Sequence, residues 1–365
     1  MPLQPKKHIA ALKACAHGGL IYEELKTLGI SPEDILDFSV STNPFMPPPG
    51  IKEMMKSFSI ERYPDSRSTQ LVSRLSEKLL VSRENIFIGA GTTEIIRLIA
   101  LAYFRQNDPV LILEPTYGEY ELACRIAGAR VVKFHALEEN GFMPDIEELT
   151  EIIRKSRPLA VFICNPNNPT GKYLPRAAIE KVIQGMGDSL LVLDEAYVPF
   201  VANNWNSLDL VKRDNVIIMR SMTKDYGLPG LRLGYAVGGK ELIETLRIVA
   251  PPWNVNVIAQ KTGVAVMKME EYLQQSLIKL QDSRNYLTAE ISQLGFSIVP
   301  SDAHYFLVKV GNAAEYRRAL LKYGIMVRDC TSFDLPEYVR ISTRTRPECE
   351  KLIKAMKIIL EESNE

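Results

Sequence analysis

Ser221, Lys224 and Arg232 fall within a dozen residues, in the run Arg220-Ser221-Met222-Thr223-Lys224-Asp225-Tyr226-Gly227-Leu228-Pro229-Gly230-Leu231-Arg232-Leu233-Gly234-Tyr235. A lysine amine, with an ordinary pKa of about 10.4, is protonated and a poor nucleophile at neutral pH. Condensed with an aldehyde cofactor it becomes useful, because an incoming amine can displace it. Ser221 stands three residues before Lys224 and Arg232 eight after it, so both can reach one phosphate, the handle that would anchor such a cofactor. Ser-x-x-Lys also occurs in penicillin-binding enzymes, but the Ser-Asp-Asn element that accompanies it there is absent. Alone, a lysine and an arginine in a Gly-rich loop could equally be solvated charges, so the remaining clusters decide.

Those clusters follow apolar runs that read as strands. Ile86-Phe87-Ile88 enters Gly89-Ala90-Gly91-Thr92-Thr93-Glu94 and then an apolar helix over Ile95 to Phe104. Strand, Gly-rich turn and helix in that order hold a phosphate, since backbone N–H groups and the helix dipole face the anion. The Gly-x-Gly-x-x-Gly fingerprint of dinucleotide sites is not met. Val110 to Leu113 ends in Glu114-Pro115-Thr116-Tyr117, Leu159 to Cys164 in Asn165-Pro166-Asn167-Asn168-Pro169-Thr170-Gly171, and Leu190 to Leu193 in Asp194-Glu195-Ala196-Tyr197. Alternating strands and helices predict an α/β fold with a mostly parallel sheet covered on both faces. Ligands bind outside the carboxyl ends of such strands, so Gly91, Thr92, Thr93, Tyr117, Asn168, Asp194, Tyr197 and Lys224 can converge on one crevice.

The elements that must position these residues are bounded by composition. The chain has 365 residues, 46% hydrophobic, enough for a large core and two domains. Lysine plus arginine equals aspartate plus glutamate, 44 each, which argues against binding nucleic acid or a membrane surface by bulk charge. The five cysteines are scattered without a Cys-x-x-Cys, and the four histidines lack metal-ligand spacing. No secretory leader or membrane span is read, and a cytoplasmic location is expected. Residues 1–45 form an arm, with a short helix over Ile21 to Leu28 ended by Gly29 and a strand over Leu36 to Val40. Pro251-Pro252-Trp253-Asn254-Val255-Asn256 marks a boundary, after which a long helical region over Val257 to Leu294 is expected, then an α+β unit with strands over Phe296 to Val299, Tyr305 to Val310, Ile325 to Arg328 and Tyr338 to Ser342.

Asn168-Pro169-Thr170-Gly171, Asp194-Glu195-Ala196-Tyr197, Ser221-x-x-Lys224 and Gly230-Leu231-Arg232-Leu233-Gly234, in this order and spacing, resemble the fold-type I, pyridoxal-phosphate-dependent aminotransferases, in particular their histidinol-phosphate aminotransferase branch. The resemblance covers nearly the whole chain. It implies a large domain, 46–250, with a mostly parallel seven-stranded sheet flanked by helices, and a smaller α+β domain made of 1–45 and 251–365. It implies that Lys224 binds the aldehyde of pyridoxal 5'-phosphate and later moves protons, and that Asp194 pairs with the pyridinium nitrogen. Tyr197 and Asn168 would bond the ring 3-oxygen and Tyr117 would stack on the ring. Ser221, Arg232 and Gly91-Thr92-Thr93 would hold the phosphate. Tyr63, in Arg62-Tyr63-Pro64-Asp65, matches a tyrosine that reaches the phosphate from the other subunit of a homodimer.

The same cofactor residues serve decarboxylation and transamination, so the substrate clamps must discriminate. His17-Gly18-Gly19, Pro252-Trp253-Asn254-Val255-Asn256 and Val327-Arg328-Asp329-Cys330 are similar to the threonine-phosphate decarboxylases of cobalamin biosynthesis. This likeness implies a lyase removing CO2 from L-threonine O-3-phosphate to leave (R)-1-aminopropan-2-yl phosphate, with histidinol-phosphate aminotransferase as the alternative. Its substrate, a small phosphorylated amino acid, would meet His17, Gly18, Ser41, Asn168, Arg328 and Arg340. Arginine's planar fork suits carboxylate and phosphate alike; Arg340 is assigned the α-carboxylate and Arg328 the phosphate. Ser41 stands where those decarboxylases carry an asparagine, and its hydroxyl reaches less far. Arg344 is read as a surface charge.

Overall fold

The computed structural model describes residues 3–364. In chain order its strands are β1 (Leu36–Asp37), β2 (Ile86–Gly89), β3 (Pro109–Glu114), β4 (Arg130–His135), β5 (Ala160–Cys164), β6 (Leu190–Asp194), β7 (Val216–Ser221), β8 (Gly234–Gly238), β9 (Ser297–Ile298), β10 (Tyr305–Lys309), β11 (Ile325–Met326), β12 (Arg328–Asp329) and β13 (Tyr338–Ser342). Seven of them form the central sheet, in the order β2-β8-β7-β6-β5-β3-β4. Its pairings are parallel except those of β8, which runs antiparallel to both neighbours.

Side-chain alternation along the strands divides the core in two. Val110, Ile112, Phe162, Val192, Ile217 and Met219 pack on one face against the helices Thr92–Tyr103, Glu119–Ala127 and Lys240–Val249. Leu111, Leu113, Val161, Ile163, Leu191, Leu193 and Ile218 pack on the other against Ile146–Ser156 and Arg176–Met186. Strands buried on both faces need apolar residues at every position, which is why β5 and β6 read as unbroken apolar runs.

A second, antiparallel sheet of order β12-β13-β10-β9 carries its own core with the helix Arg346–Asn364 and part of Glu270–Gln293. The arm joins it through β1, parallel to β11 with Leu36 opposite Ile325. The expected helix over Ile21 to Leu28 is Tyr22–Leu28, ended by Gly29 at φ 68°. Two expectations are corrected. The region Val257 to Leu294 is two helices, Val257–Val266 and Glu270–Gln293; Met269, at φ −106° and ψ 39°, leaves helical geometry between them. The strand expected over Ile325 to Arg328 is split between two sheets, β11 pairing with β1 and β12 with β13. Gly234-Tyr235 opens β8. Among the described residues no helix is long and apolar enough to cross a membrane, and no cluster of His, Cys, Asp or Glu could hold a metal.

Candidate functional site

A cavity of about 950 Å³ opens where β5, β6 and β7 end. Cys164 is opposite Asp194 in the β5–β6 register, and Ser221 ends β7. Gly91, Thr92, Thr93, Tyr117, Asn168, Asp194, Tyr197, Ser221, Lys224 and Arg232 all line it, and from the arm and second sheet so do His17, Gly18, Ser41, Arg328 and Arg340. Tyr63 does not. It is exposed and stacks on Trp253 at 4.2 Å between ring centroids.

One corner is built for an anion. The helix Thr92–Tyr103 starts at Gly91, and no side chain caps its first N–H groups, so they remain for a ligand. Gly91 sits at φ 83°, and a Cβ there would lie 2.7 Å from Arg232 Nη2; only glycine lets the guanidinium this close. Ser221 Oγ and Thr223 Oγ1 lie 2.6 Å apart on the same wall. Glu94, in the first turn, would repel an anion, but its Oε2 accepts from Ala90 N and Asn254 Nδ2, both at 2.7 Å. Arg232 itself has left-handed backbone at φ 56°, which places a non-glycine residue under strain at the site.

Beyond this corner stand an amine and a carboxylate. Lys224 follows a tight turn whose backbone is pinned from the arm, Asn43 N donating to Lys224 O at 2.8 Å. Gly227, two residues past Asp225, holds φ 59°, and a Cβ there would strike the Met46 backbone at 2.8 Å. Burial, then Arg340 and Arg232, lower the Lys224 pKa to about 8, against the pull of Asp194. The Lys224 Nζ lies 5.6 Å from the Tyr197 ring centroid. Asp194 is 3% exposed. Its Oδ2 accepts from Tyr120 Oη at 2.7 Å and its Oδ1 from Ala196 N at 2.9 Å, yet burial still raises its pKa to about 6. A cation placed beside it would relieve that cost. The Tyr117 hydroxyl meets Thr93 Oγ1 at 3.1 Å, and its ring meets Tyr120 edge-on at 5.6 Å.

The arrangement thus fits pyridoxal phosphate: an uncapped helix start with an arginine and hydroxyls for the phosphate, an amine of depressed pKa for the aldehyde, and a buried carboxylate for the ring nitrogen. Tyr120 was not singled out from the sequence, and Thr223, Glu94 and Asn254 were given no part at the anion corner.

On the far wall, Arg340 donates from Nη1 to Asn168 Oδ1 and from Nη2 to Ser39 O at 2.6 Å, while its buried Nε has no partner. Arg328 donates to the arm carbonyls of His17 and Ala16 at 2.9 and 2.8 Å. Gly18 presses so close to Ser39 O that a Cβ would come within 2.6 Å. Ser41 Oγ is bonded to Ser342 Oγ at 2.6 Å. Arg344 is no free surface charge: it donates to Asp37 O at 3.0 Å and pairs with Glu348.

Residues 33–356 match the family model of class I and II aminotransferases. A histidinol-phosphate aminotransferase of Moorella thermoacetica is 35% identical over 363 residues, 97% of this chain and 92% of that protein. The histidinol-phosphate aminotransferase of Sinorhizobium meliloti, solved with pyridoxal-5'-phosphate, superposes with a TM-score of 0.88 over 98% of both chains at 22% identity. The L-threonine-O-3-phosphate decarboxylase of Porphyromonas gingivalis gives 0.78 at 27% identity, covering 89% of this chain and 99% of its own. These relatives overturn the expected decarboxylase, and with it the lyase and cobalamin reading, in favour of an aminotransferase. The features that suggested it have structural occupations here. Trp253 stacks on Tyr63, Asn254 holds Glu94, Asn256 caps the helix Val257–Val266 through Ala259 N, and Asp329 Oδ1 accepts from Thr331 N. With its site at the strand ends of a seven-stranded sheet and a family match spanning most of its length, the chain belongs to the class I and II aminotransferases, pyridoxal-phosphate enzymes of fold type I.

Proposed function

We propose that this protein is a histidinol-phosphate aminotransferase, exchanging an amino group between histidinol phosphate and a dicarboxylic 2-oxo acid. The observation that carries the reading is the pair of buried arginines, Arg328 and Arg340, across the cavity from the anion corner at Gly91 and Arg232. One anion corner suits the cofactor phosphate; the arginine pair is left for the substrate. Histidinol phosphate has a phosphate and no carboxylate, so the earlier division between the two arginines lapses and both face the phosphate. The second substrate must present a carboxylate to the same wall, and a planar guanidinium accepts either anion.

When bound, pyridoxal phosphate withdraws electron density from the substrate Cα, making its proton removable. The chain's residues do the rest. Ser221, Thr223, Arg232 and the N–H groups after Gly91 hold the phosphate. Asp194, fixed by Tyr120 and Ala196, keeps a proton on the ring nitrogen. Tyr117 covers one ring face, and Asn168 and Tyr197 hold the 3-oxygen. Lys224 Nζ would take and return the Cα proton. His17, Gly18 and Ser41 close the substrate side.

The reading includes a cytoplasmic homodimer in which Tyr63 serves the partner's site, and a division into a cofactor-binding domain, 46–250, and a small domain, 1–45 with 251–365. The purified protein, given histidinol phosphate and 2-oxoglutarate, is expected to release glutamate. No glutamate from the holoenzyme would refute the assignment.

A further inference from the structure

The beginning of the arm is weakly anchored. Its first helix, Lys7–Ala10, buries no residue, and segments with few buried contacts open at little cost. Yet residues 16–19 are tied down at three points. Gly19 N donates to Ser39 Oγ at 2.7 Å. The carbonyls of Ala16 and His17 receive Arg328 from β12. The His17 Nε2 lies 3.2 Å from Glu119 Oε1, and the other oxygen of this buried carboxylate takes Arg97 Nη2 at 2.5 Å. Arg97 belongs to the helix whose start faces the anion corner. A polar chain therefore runs Arg97–Glu119–His17–Arg328, from the large sheet's helices through the arm to the second sheet. Glu119 does not line the cavity, so none of the cofactor or substrate roles above uses it.

We infer that Glu119 is a positioning residue: it latches the arm through His17, and the latched carbonyls of Ala16 and His17 fix the Arg328 guanidinium for the substrate anion. Arg328 spends three of its five N–H donors on Ala16 O, His17 O and Ser332 Oγ, which leaves two for an anion in the cavity it lines. Released from the arm, the side chain would regain rotamer freedom, and the substrate would have to order it again at the cost of affinity. Lys224 and the cofactor residues are untouched by such a change, so substrate binding weakens while the chemical step is kept.

The inference rests on the proposed aminotransferase reaction for its kinetic readout and on none for its structural one. Glu119→Gln keeps the shape and removes the charge. In the holoenzyme it is expected to raise KM for histidinol phosphate about tenfold, with kcat within about twofold of wild type. Hydrogen exchange without substrate is expected to speed up at the Gly19 amide about tenfold, with no change at Asp194 or Ser221 on the central sheet. Equal Gly19 exchange in the two proteins would overturn the latch, as would a loss of kcat at constant KM. A general fall in protection across the sheet would mark Glu119 as merely structural, which also overturns it. Wild-type protein inactive on histidinol phosphate would refute the proposed function, and the exchange comparison would still decide the latch.

Discussion

Two ionisable groups in one cavity are displaced toward each other: the Lys224 amine down to about 8 and the Asp194 carboxyl up to about 6. Burial is the first cause of both. A lowered pKa makes the amine neutral at a lower pH. Acetylation of Lys224 by acetic anhydride in cofactor-free protein, followed by peptide mass spectrometry, should therefore rise with pH through a midpoint near 8 and level off above it. A midpoint near that of exposed lysines, about 10.4, would show that the cavity does not tune it. Tyr120 supports the other group. Tyr120→Phe leaves Asp194 Oδ2 without its buried donor, a loss of about 1–3 kcal/mol, and should weaken pyridoxal-phosphate affinity about tenfold or more in equilibrium dialysis. Lys224 and Asp194 were legible in the sequence because each closely follows or ends an apolar strand, where open sheets place ligands. Tyr120 was not. Its hydroxyl acquires a purpose only when the helix Glu119–Ala127 packs across β5, stacking the ring on Phe162 and aiming it at Asp194.

The anion corner belongs to an element, the turn and helix start at Gly91–Thr93. Gly91→Ala adds a methyl 2.7 Å from the Arg232 guanidinium at a φ of 83°. Backbone strain of this kind costs about 1–3 kcal/mol, and Arg232 must also withdraw. Cofactor affinity should fall at least about tenfold while the sheet stays folded, checked by dialysis alongside a thermal melt; unchanged affinity would place the phosphate elsewhere. This element was readable because strand, Gly-rich turn and apolar helix follow one another locally. What holds Glu94 away from the anion was not readable. Asn254 arrives from 160 residues further on, and no local pattern announces such a contact. The break at Met267–Met269 was hidden for a similar reason. Both flanking segments favour helix, and no proline or glycine stands between Val266 and Glu270 to announce the break.

At the scale of the molecule, the sequence disclosed the layered α/β sheet through its doubly buried strands but not the antiparallel strand β8, whose Gly234-Tyr235-Ala236-Val237-Gly238 resembles the loop before it. It also pointed to the wrong reaction. His17, Gly18 and the two arginines line the cavity as expected, yet residues that can clamp a phosphate do not reveal which Cα bond will break. The proposed dimer has its own test. Exposed Tyr63, stacked on Trp253, is expected to complete the partner's site. A hybrid of a Lys224→Ala subunit with a Tyr63→Ala subunit would then keep one intact site and about half the activity of the wild-type dimer. If Tyr63 served its own site, the hybrid would be no more active than the Tyr63→Ala parent. One bond of the loaded protein, between Lys224 and the cofactor aldehyde, is open to direct test. Borohydride reduction of the pyridoxal-phosphate-loaded protein, followed by peptide mapping, should place the cofactor on the peptide containing Lys224 and on no other. Label on a different lysine, or none, would contradict it.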